Sequence, residues 1–246
     1  MSRVTVIAEI GINFDGSMPK AKYMIKEAKN YCGADIAKFQ LYDVDTIFPN
    51  QECLGDDGRN WYEEVKRTQL TQDQAFELAV YCQEIGIEFM VSAFDTERLD
   101  WLALLGVKRY KIASRSNSDL NLLNWILKHP KPTLVSCNQK DVNRPGPRDW
   151  YNNGARLLYC LTEGPAYIES FNFRDIDFVN TYSGISDHCN SIIPSLVAVA
   201  RGATFVERHF TLNTTSEEGP DHIFSSEPEE FKKMVSTIRE MEKCLD

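Results

Sequence analysis

Short apolar runs alternate with amphipathic helical stretches along almost the whole chain, and this alternation limits its possible folds more than any other feature. The runs are rich in Val, Ile, Leu, Phe and Tyr and mostly lack polar alternation, which is typical of strands covered on both faces. The predicted strands are Val4–Ile10, Asp35–Gln40, Ile87–Ser92, Arg109–Ala113, Pro132–Ser136, Arg156–Cys160, Phe178–Ile185 and Thr204–His209. The predicted helices are Pro19–Tyr31, Gln72–Ile85, Thr96–Leu105, Leu120–Lys128, Ser191–Arg201 and Glu229–Leu245.

Strands that alternate with helices are expected to run parallel and to be joined by right-handed crossovers. Eight of them predict an α/β fold of the (β/α)₈ TIM-barrel type, as a single domain over residues 1–246. An open doubly wound sheet is the alternative, and it is disfavoured because no G-x-G-x-x-G follows the first strand.

Two segments interrupt the alternation. Cys137–Gly154 lies where the fifth helix belongs but contains Pro145-Gly146-Pro147 and little apolar periodicity. Because proline is costly inside a helix, the fifth helix is predicted to be degenerate, either missing or reduced to a turn. Tyr42–Leu70 forms a long polar excursion after the second strand and contains Asp56-Asp57-Gly58.

Charge and cysteine usage exclude several classes of protein. The net charge of −9 argues against a surface for nucleic acid or an anionic membrane, although a few lysines in a cleft can still bind a small anion. The 7 cysteines are an odd number without a C-x-x-C pair, which suits free thiols in a reducing compartment. With no signal peptide and no membrane-spanning run in the sequence, a cytoplasmic protein is predicted.

Polar residues follow the predicted strands, at the end of the barrel where TIM-barrel active sites lie. They are Glu9, Asn13, Lys38, Gln40, Ser92, Lys111, Ser114, Ser136, Ser186, His188, Glu207 and His209. Two imidazoles on neighbouring strand ends, His188 and His209, can hold one divalent metal and leave positions open for substrate. Glu207 precedes His209 by two residues, so their side chains should point to the same face of the strand. The alternative is that the histidines only cap strand ends.

Lys38 and Lys111 occupy inward-facing positions, where an ammonium group without a counter-charge is costly. Together with the strand-end serines they predict a pocket for phosphate or carboxylate. Two alternatives remain open: one lysine forms a Schiff base, or each lysine pairs with a barrel carboxylate such as Glu9 or Glu207.

Six strings of the sequence, in order and with matching spacing, resemble the sialic acid synthase (N-acetylneuraminate synthase) family. They are Ile7-Ala8-Glu9-Ile10-Gly11-Ile12-Asn13, Ala37-Lys38-Phe39-Gln40, Tyr110-Lys111-Ile112-Ala113-Ser114, Ser186-Asp187-His188, Glu207-Arg208-His209-Phe210-Thr211-Leu212 and Gly219-Pro220-Asp221-His222. The resemblance implies a (β/α)₈ barrel. It also implies a transferase that condenses phosphoenolpyruvate with an N-acyl-hexosamine in its aldehyde form. The expected products are phosphate and a nonulosonic, sialic-acid-like acid.

The resemblance also implies a role for each matching residue. Glu9, Lys38 and Lys111 are the implied catalytic residues, and Glu9 handles a proton or positions water. Phosphoenolpyruvate is expected to contact Lys38, Gln40, Ser92, Lys111, Ser114, Ser136 and Ser186. His188 and His209 are the implied metal ligands, most often for Mn²⁺, and Glu207 and Asp221 the implied sugar contacts.

Several positions depart from the family pattern. Phe14 replaces a histidine after the first strand, Ser116 replaces a sugar-binding glutamate with Arg115 beside it, and Gly164 replaces a tyrosine. Because the phosphoenolpyruvate and metal positions are kept, these changes predict a different acceptor sugar. A relaxed, decaying sugar site is the alternative.

Family members usually carry a C-terminal antifreeze-like domain that supplies an arginine to the sugar on a partner's barrel. This chain stops at Asp246, so that domain is expected to be absent, and a homodimer remains open. The arginine would then be missing, come from another chain, or be replaced by Arg59, Arg115 or Arg144. Besides the condensing synthase, a Schiff-base aldolase and a non-catalytic barrel remain alternatives.

Overall fold

Eight parallel strands close on themselves, each paired with its neighbour in chain order and the last paired with the first. The computed structural model describes residues 3–55, 58–161 and 166–245. The strands are β1 Thr5–Gly11, β2 Ile36–Leu41, β3 Glu88–Ala93, β4 Tyr110–Ile112, β5 Thr133–Cys137, β6 Arg156–Cys160, β7 Tyr182–Asp187 and β8 Phe205–His209. The predicted (β/α)₈ barrel is confirmed, and the closed order excludes the open sheet.

Helices surround the strands over most of the circumference. They are α1 Met18–Lys26, which continues as a π-helix over Glu27–Tyr31, α2 Val44–Ile47, α3 Tyr62–Arg67, α4 Gln72–Ile85, α5 Thr96–Leu105, α6 Leu120–Lys128, α7 Pro147–Asn152, α8 Ile193–Ala200 and α9 Pro228–Leu245. Side chains cap the starts of two of these helices: Thr71 and Gln74 make a capping box before α4, and Asp95 accepts from the Arg98 amide at the start of α5. None of the described helices is both long and apolar enough to cross a bilayer.

The period of two along each strand explains why the interior changes from apolar to polar. Six apolar side chains fill the lower barrel, namely Ile7, Ile36, Met90, Leu134, Leu158 and Phe205. Two residues further along the same six strands stand Glu9, Lys38, Ser92, Ser136, Cys160 and Glu207, and all six line a cavity above the apolar layer. Because side chains alternate across a strand, the same face that packs the core also presents these polar groups.

The fifth helix is degenerate, as predicted: it is not missing, but α7 has only six residues, beginning at Pro147, a position where proline costs no hydrogen bond. The seventh strand begins at Tyr182 rather than Phe178. Asp177 accepts from the amides of Val179 and Asn180, and this turn ends the apolar run before the strand begins.

The sequence predicts a polar excursion between β2 and α4, but much of this segment is folded against the barrel. Its apolar residues pack with Ile12 and Phe94 from neighbouring loops into a second apolar cluster, whose members are Ile12, Tyr42, Val44, Trp61, Tyr62 and Val65 with Ile47, Phe48, Cys53 and Phe94 packed against them. The Tyr42 hydroxyl anchors the segment by donating to the carbonyl of Val65. Asp56 and Asp57 lie outside the described residues.

Candidate active site

A cavity of about 370 Å³ opens at the C-terminal end of the barrel. All twelve site residues predicted from the sequence line it: Glu9, Lys38, Gln40, Ser92, Lys111, Ser114, Ser136, Ser186, His188, Glu207, His209 and Asp221. The barrel therefore brings together residues that are scattered from β1 to the loop after β8.

The two lysines lie at the bottom of this cavity and are buried. The Lys38 ammonium is 2.8 Å from Glu9 Oε2 and 3.7 Å from Glu207 Oε2. The Lys111 ammonium is 3.5 Å from Glu207 Oε1. Each lysine thus pairs with a carboxylate, as one of the alternatives predicted, while also lining the cavity.

Hydroxyl groups complete the shell around the ammonium groups. Lys38 donates to Ser92 Oγ at 2.9 Å, and Lys111 donates to Ser136 Oγ at 2.8 Å. Ser186 donates to Glu207 Oε1 at 2.8 Å, and Gln40 donates to Glu9 Oε1 at 3.0 Å. A serine that accepts from a lysine keeps its own O–H, which can turn toward an anion in the cavity.

The surroundings shift the pKa values of the Glu9 and Glu207 carboxyls in opposite directions. Burial raises the pKa of Glu9 to about 7, against the opposing charge of Lys38. Burial acts in the same direction on Glu207, but the charges of Lys111 and Lys38 outweigh it and hold the pKa of Glu207 below its ordinary value. One carboxylate therefore balances the lysines, while the other can exchange a proton near neutral pH.

The pKa values of the two lysines shift in opposite directions. Burial acts to lower the pKa of Lys38, but the charges of Glu207 and Glu9 outweigh burial and raise it. Burial lowers the pKa of Lys111, with a smaller contribution from the charge of Lys38, and the opposing charge of Glu207 does not outweigh this lowering. Lys38 is thus held as a cation more firmly than Lys111.

The two strand-end histidines lie beside each other, with ring centroids 5.0 Å apart. Burial lowers the pKa of His188 to about 4 and holds the pKa of His209 well below its usual range. Both imidazoles are neutral at physiological pH, which is the form that binds a metal. Nδ1 of His209 is buried, has no hydrogen-bond partner among the described residues, and lies 3.8 Å from Asp221 Oδ2.

These features fit a divalent metal ion, because each neutral imidazole has one ring nitrogen whose lone pair can bind a metal. Within residues 3–55, 58–161 and 166–245, no three His, Cys, Asp or Glu side chains form a ready metal cage. The two imidazoles would therefore need water or substrate oxygen atoms to complete the coordination, as an open catalytic site requires.

His222, the third histidine in this part of the chain, has a structural role. It is buried, and its Nε2 is 2.9 Å from Asp15 Oδ1 while its Nδ1 is 2.7 Å from Thr211 Oγ1. Phe14, which stands where the family has a histidine, packs edge-on against Phe39 in the core. Phe14 is not among the described residues that line the cavity.

The outer half of the cavity is mostly apolar, and most of the residues that form it are not predicted from the sequence. Its wall includes Tyr42, Ile47, Phe48, Cys53 and Val65 from the second apolar cluster, with Phe94 and Phe224 from other loops. Their only sequence signal was a set of apolar residues in a polar segment. Arg115 lines this half, whereas Ser116 does not. Gly164 lies outside the described residues.

Comparisons with known proteins give one matching family and several named relatives. The model of the NeuB family matches residues 24–246. The chain belongs to the NeuB family. The N,N′-diacetyllegionaminic acid synthase of Legionella pneumophila is 32% identical over 260 residues, covering 98% of this chain and 72% of that protein. The N-acetylneuraminate-9-phosphate synthase of Mus musculus is 33% identical over 258 residues, covering 98% and 70%.

The likeness extends to a solved structure. The crystal structure of N-acetylneuraminic acid (sialic acid) synthetase from Leptospira borgpetersenii, in complex with citrate, has a TM-score of 0.87 at 26% identity. The match covers 99% of this chain and 85% of that chain. The predicted membership of the sialic acid synthase family is confirmed, as is the prediction of a synthase rather than a non-catalytic barrel. The roles of individual residues and the metal stay predictions.

Proposed function

We propose that the protein condenses phosphoenolpyruvate with the aldehyde form of an N-acyl-hexosamine-like sugar, giving a nonulosonic acid and phosphate. The observation that carries this proposal is the buried group of Lys38, Lys111 and their serine partners at the bottom of a cavity whose upper part holds two neutral histidines. The named synthases of the NeuB family, which produce sialic-acid-type sugars, support the same reaction class.

The inner end of the cavity suits the phosphate and carboxylate of phosphoenolpyruvate. Lys38 and Lys111 supply positive charge, and the hydroxyls of Ser92, Ser136 and Ser114 supply donors. Two lysines beside two ionised carboxylates would carry no net charge. Because Glu9 has a pKa of about 7, its protonation leaves a net positive site, and a bound anion favours that protonated form further.

The overall reaction balances without a further reactant. The C3 carbon of phosphoenolpyruvate bonds to the aldehyde carbon, water adds at C2, and the C2–O bond to phosphate breaks. Glu9 is the carboxyl with a pKa suited to exchanging a proton with this water or with the new hydroxyl group. Glu207 stays ionised and keeps Lys38 and Lys111 in position throughout.

His188 and His209 are the residues that would hold a divalent metal such as Mn²⁺, and Asp221 lies beside His209. When bound, the ion would supply Lewis-acid polarisation of the aldehyde oxygen. The sugar hydroxyls would contact Glu207 and Asp221, which both line the cavity.

A phosphate-release assay tests the proposal. Phosphoenolpyruvate, Mn²⁺ and a panel of aldoses and N-acyl-hexosamines are combined with the protein, and phosphate should appear only when an acceptor is present. The His188→Ala variant should lose at least 100-fold in turnover, because a metal ligand is removed. Full activity in that variant would eliminate the metal role, and absence of phosphate with every acceptor would eliminate the reaction.

A Schiff-base aldolase is the second candidate, because the lowered pKa of Lys111 suits an amine nucleophile. Borohydride treatment in the presence of pyruvate would then attach a fragment to the wild type and not to Lys111→Met. The condensation proposed above forms no imine, so unmodified protein mass supports it.

A further inference from the structure

We propose that Arg115 is a specificity-determining residue that selects an acceptor sugar carrying an anionic group, phosphate or carboxylate, at the end remote from its aldehyde. This inference rests on the proposed function, since it concerns the second substrate of the same cavity.

The first observation is that Arg115 is a cation of the cavity wall without a direct ion-pair partner among the described residues, although at longer range its charge opposes the burial that raises the pKa of Asp221. Lys38, Lys111 and Arg115 are the lysines and arginines among the described lining residues. Both lysines are within 4 Å of a carboxylate. Among residues 3–55, 58–161 and 166–245, Arg115 forms no ion pair or side-chain hydrogen bond, so its guanidinium donors remain available for a ligand.

The second observation is that Arg115 is held in place. Its guanidinium carbon lies 4.9 Å from the centroid of the Phe48 ring. Phe48 belongs to the segment after β2, whereas Arg115 lies in the 3₁₀ turn Ser114–Ser116 after β4. The stacking contact therefore joins two walls of the cavity and orients the guanidinium without using its N–H groups.

The third observation is the position of Arg115 relative to the rest of the site. It follows Lys111 by four residues and lies beyond the end of β4, so it is at the outer end of the cavity. The lysines and histidines occupy the strand ends. An acceptor with its aldehyde at the histidines and its far end at the rim would reach Arg115 rather than the lysines.

The surroundings strengthen the case for an anion. The outer wall is apolar, with Ile47, Phe48 and Phe94 near the rim, and charge–charge attraction is stronger beside apolar groups than in water. Arg115 itself is exposed, so the remaining oxygen atoms of a phosphate can stay hydrated. A neutral sugar would gain little from this guanidinium, whereas a carboxylate or phosphate can bind it through two parallel N–H···O bonds.

Steady-state kinetics with three acceptors of one skeleton test the inference: a neutral N-acyl-hexosamine, its terminal phosphate, and its analogue oxidised to a terminal carboxylate. The wild type should prefer one anionic acceptor, and the preferred one identifies the anion. Arg115→Ala should raise the KM for that acceptor about tenfold or more, leaving the KM for the neutral acceptor and for phosphoenolpyruvate within about twofold. Arg115→Lys should have a KM for that acceptor between the values of the wild type and Arg115→Ala.

Arg144→Ala is the matched control, because Arg144 is exposed, pairs with Asp141 and is not among the described residues lining the cavity. It should leave all three KM values unchanged. The inference would be overturned if Arg115→Ala changed the KM for neutral and anionic acceptors equally. It would also be overturned if the wild type did not prefer an anionic acceptor to the neutral one.

Calorimetry separates this inference from the reaction itself. The three corresponding alditols lack an aldehyde and cannot react, so their binding is measurable in the presence of saturating phosphoenolpyruvate whether or not the enzyme turns over. The anionic alditol should bind the wild type more tightly than Arg115→Ala by about tenfold or more. Equal binding to both proteins would mean that the anion sits at the inner lysines, and the role of Arg115 would be wrong even if phosphate release is observed.

Discussion

At the scale of single residues, the environment rather than the residue type assigns the chemistry. Glu9 and Glu207 are both buried carboxyls beside Lys38, yet the pKa of Glu9 rises to about 7 while that of Glu207 falls below its ordinary value. The difference follows from charge count, because Glu207 faces two ammonium groups and Glu9 faces one. The sequence could place both carboxyls at strand ends, but it could not assign their protonation.

The raised pKa of Glu9 predicts how stability depends on pH. Between pH 4.5 and 7 the folded protein binds more protons at Glu9 than the unfolded chain, so Glu9 makes the free energy of unfolding fall as pH rises through this range. Between pH 4.5 and pH 8, the free energy of unfolding of the wild type should fall by up to about 3 kcal/mol more than that of Glu9→Gln, as measured by urea denaturation. Identical pH slopes in the two proteins would contradict the raised pKa.

At the scale of elements, local signals predicted helices well where caps and breakers are in the sequence. The predicted bounds of α4, α5 and α6 agree with the structure, because Thr71, Asp95 and Asp119 cap their first turns. The exceptions depend on long-range contacts. The short α7 is held by Trp150, whose indole nitrogen donates to the carbonyl of Asn117 at 2.8 Å, and nothing near Pro147 in sequence indicates this bond.

The entry to α7 provides a second prediction. Gly146 has a φ of +92°, and a Cβ there would be 2.8 Å from the Asn117 carbonyl oxygen. Gly154, which follows α7, has a φ of +83° with nothing within 4 Å of its Cβ position. Gly154→Ala should cost about 1 kcal/mol in free energy of unfolding from backbone strain alone. Gly146→Ala should cost at least about 1 kcal/mol more, because the Asn117–Ser118 backbone must move as well.

Urea denaturation of the two glycine variants measures that difference, and the similar φ values make each the control of the other. Equal losses would mean that the loop before α7 relaxes freely. In that case the Trp150–Asn117 contact would not fix the fifth β/α unit.

At the scale of the whole molecule, the closed barrel connects residues that no local pattern links. Glu207 on β8 is within 4 Å of ammonium groups from β2 and β4 and accepts from Ser186 on β7. One carboxylate therefore joins four strands around the cavity. Its replacement leaves buried ammonium groups with less counter-charge, which is more costly than losing a surface ion pair.

Glu207→Gln should therefore lower the free energy of unfolding by about 3 kcal/mol. Glu218→Gln is the control, because Glu218 pairs with Arg67 on the surface, where both side chains are about half exposed. It should cost less than about 1 kcal/mol. A loss in Glu207→Gln as small as that of the control would show that Glu9 alone can balance both lysines.

The sequence by itself determined the barrel, the family and the set of polar residues at the strand ends. These depend on the period of two along strands and on capping residues, which are local properties of the chain. Only the tertiary structure decided which groups are paired, which imidazole nitrogen is unpaired, and which apolar residues after β2 form the outer wall. Those outcomes depend on burial and on distances between distant segments. For the same reason only the closed barrel shows that Arg115 lines the cavity with its charge unpaired by the described residues, while Arg144 does not.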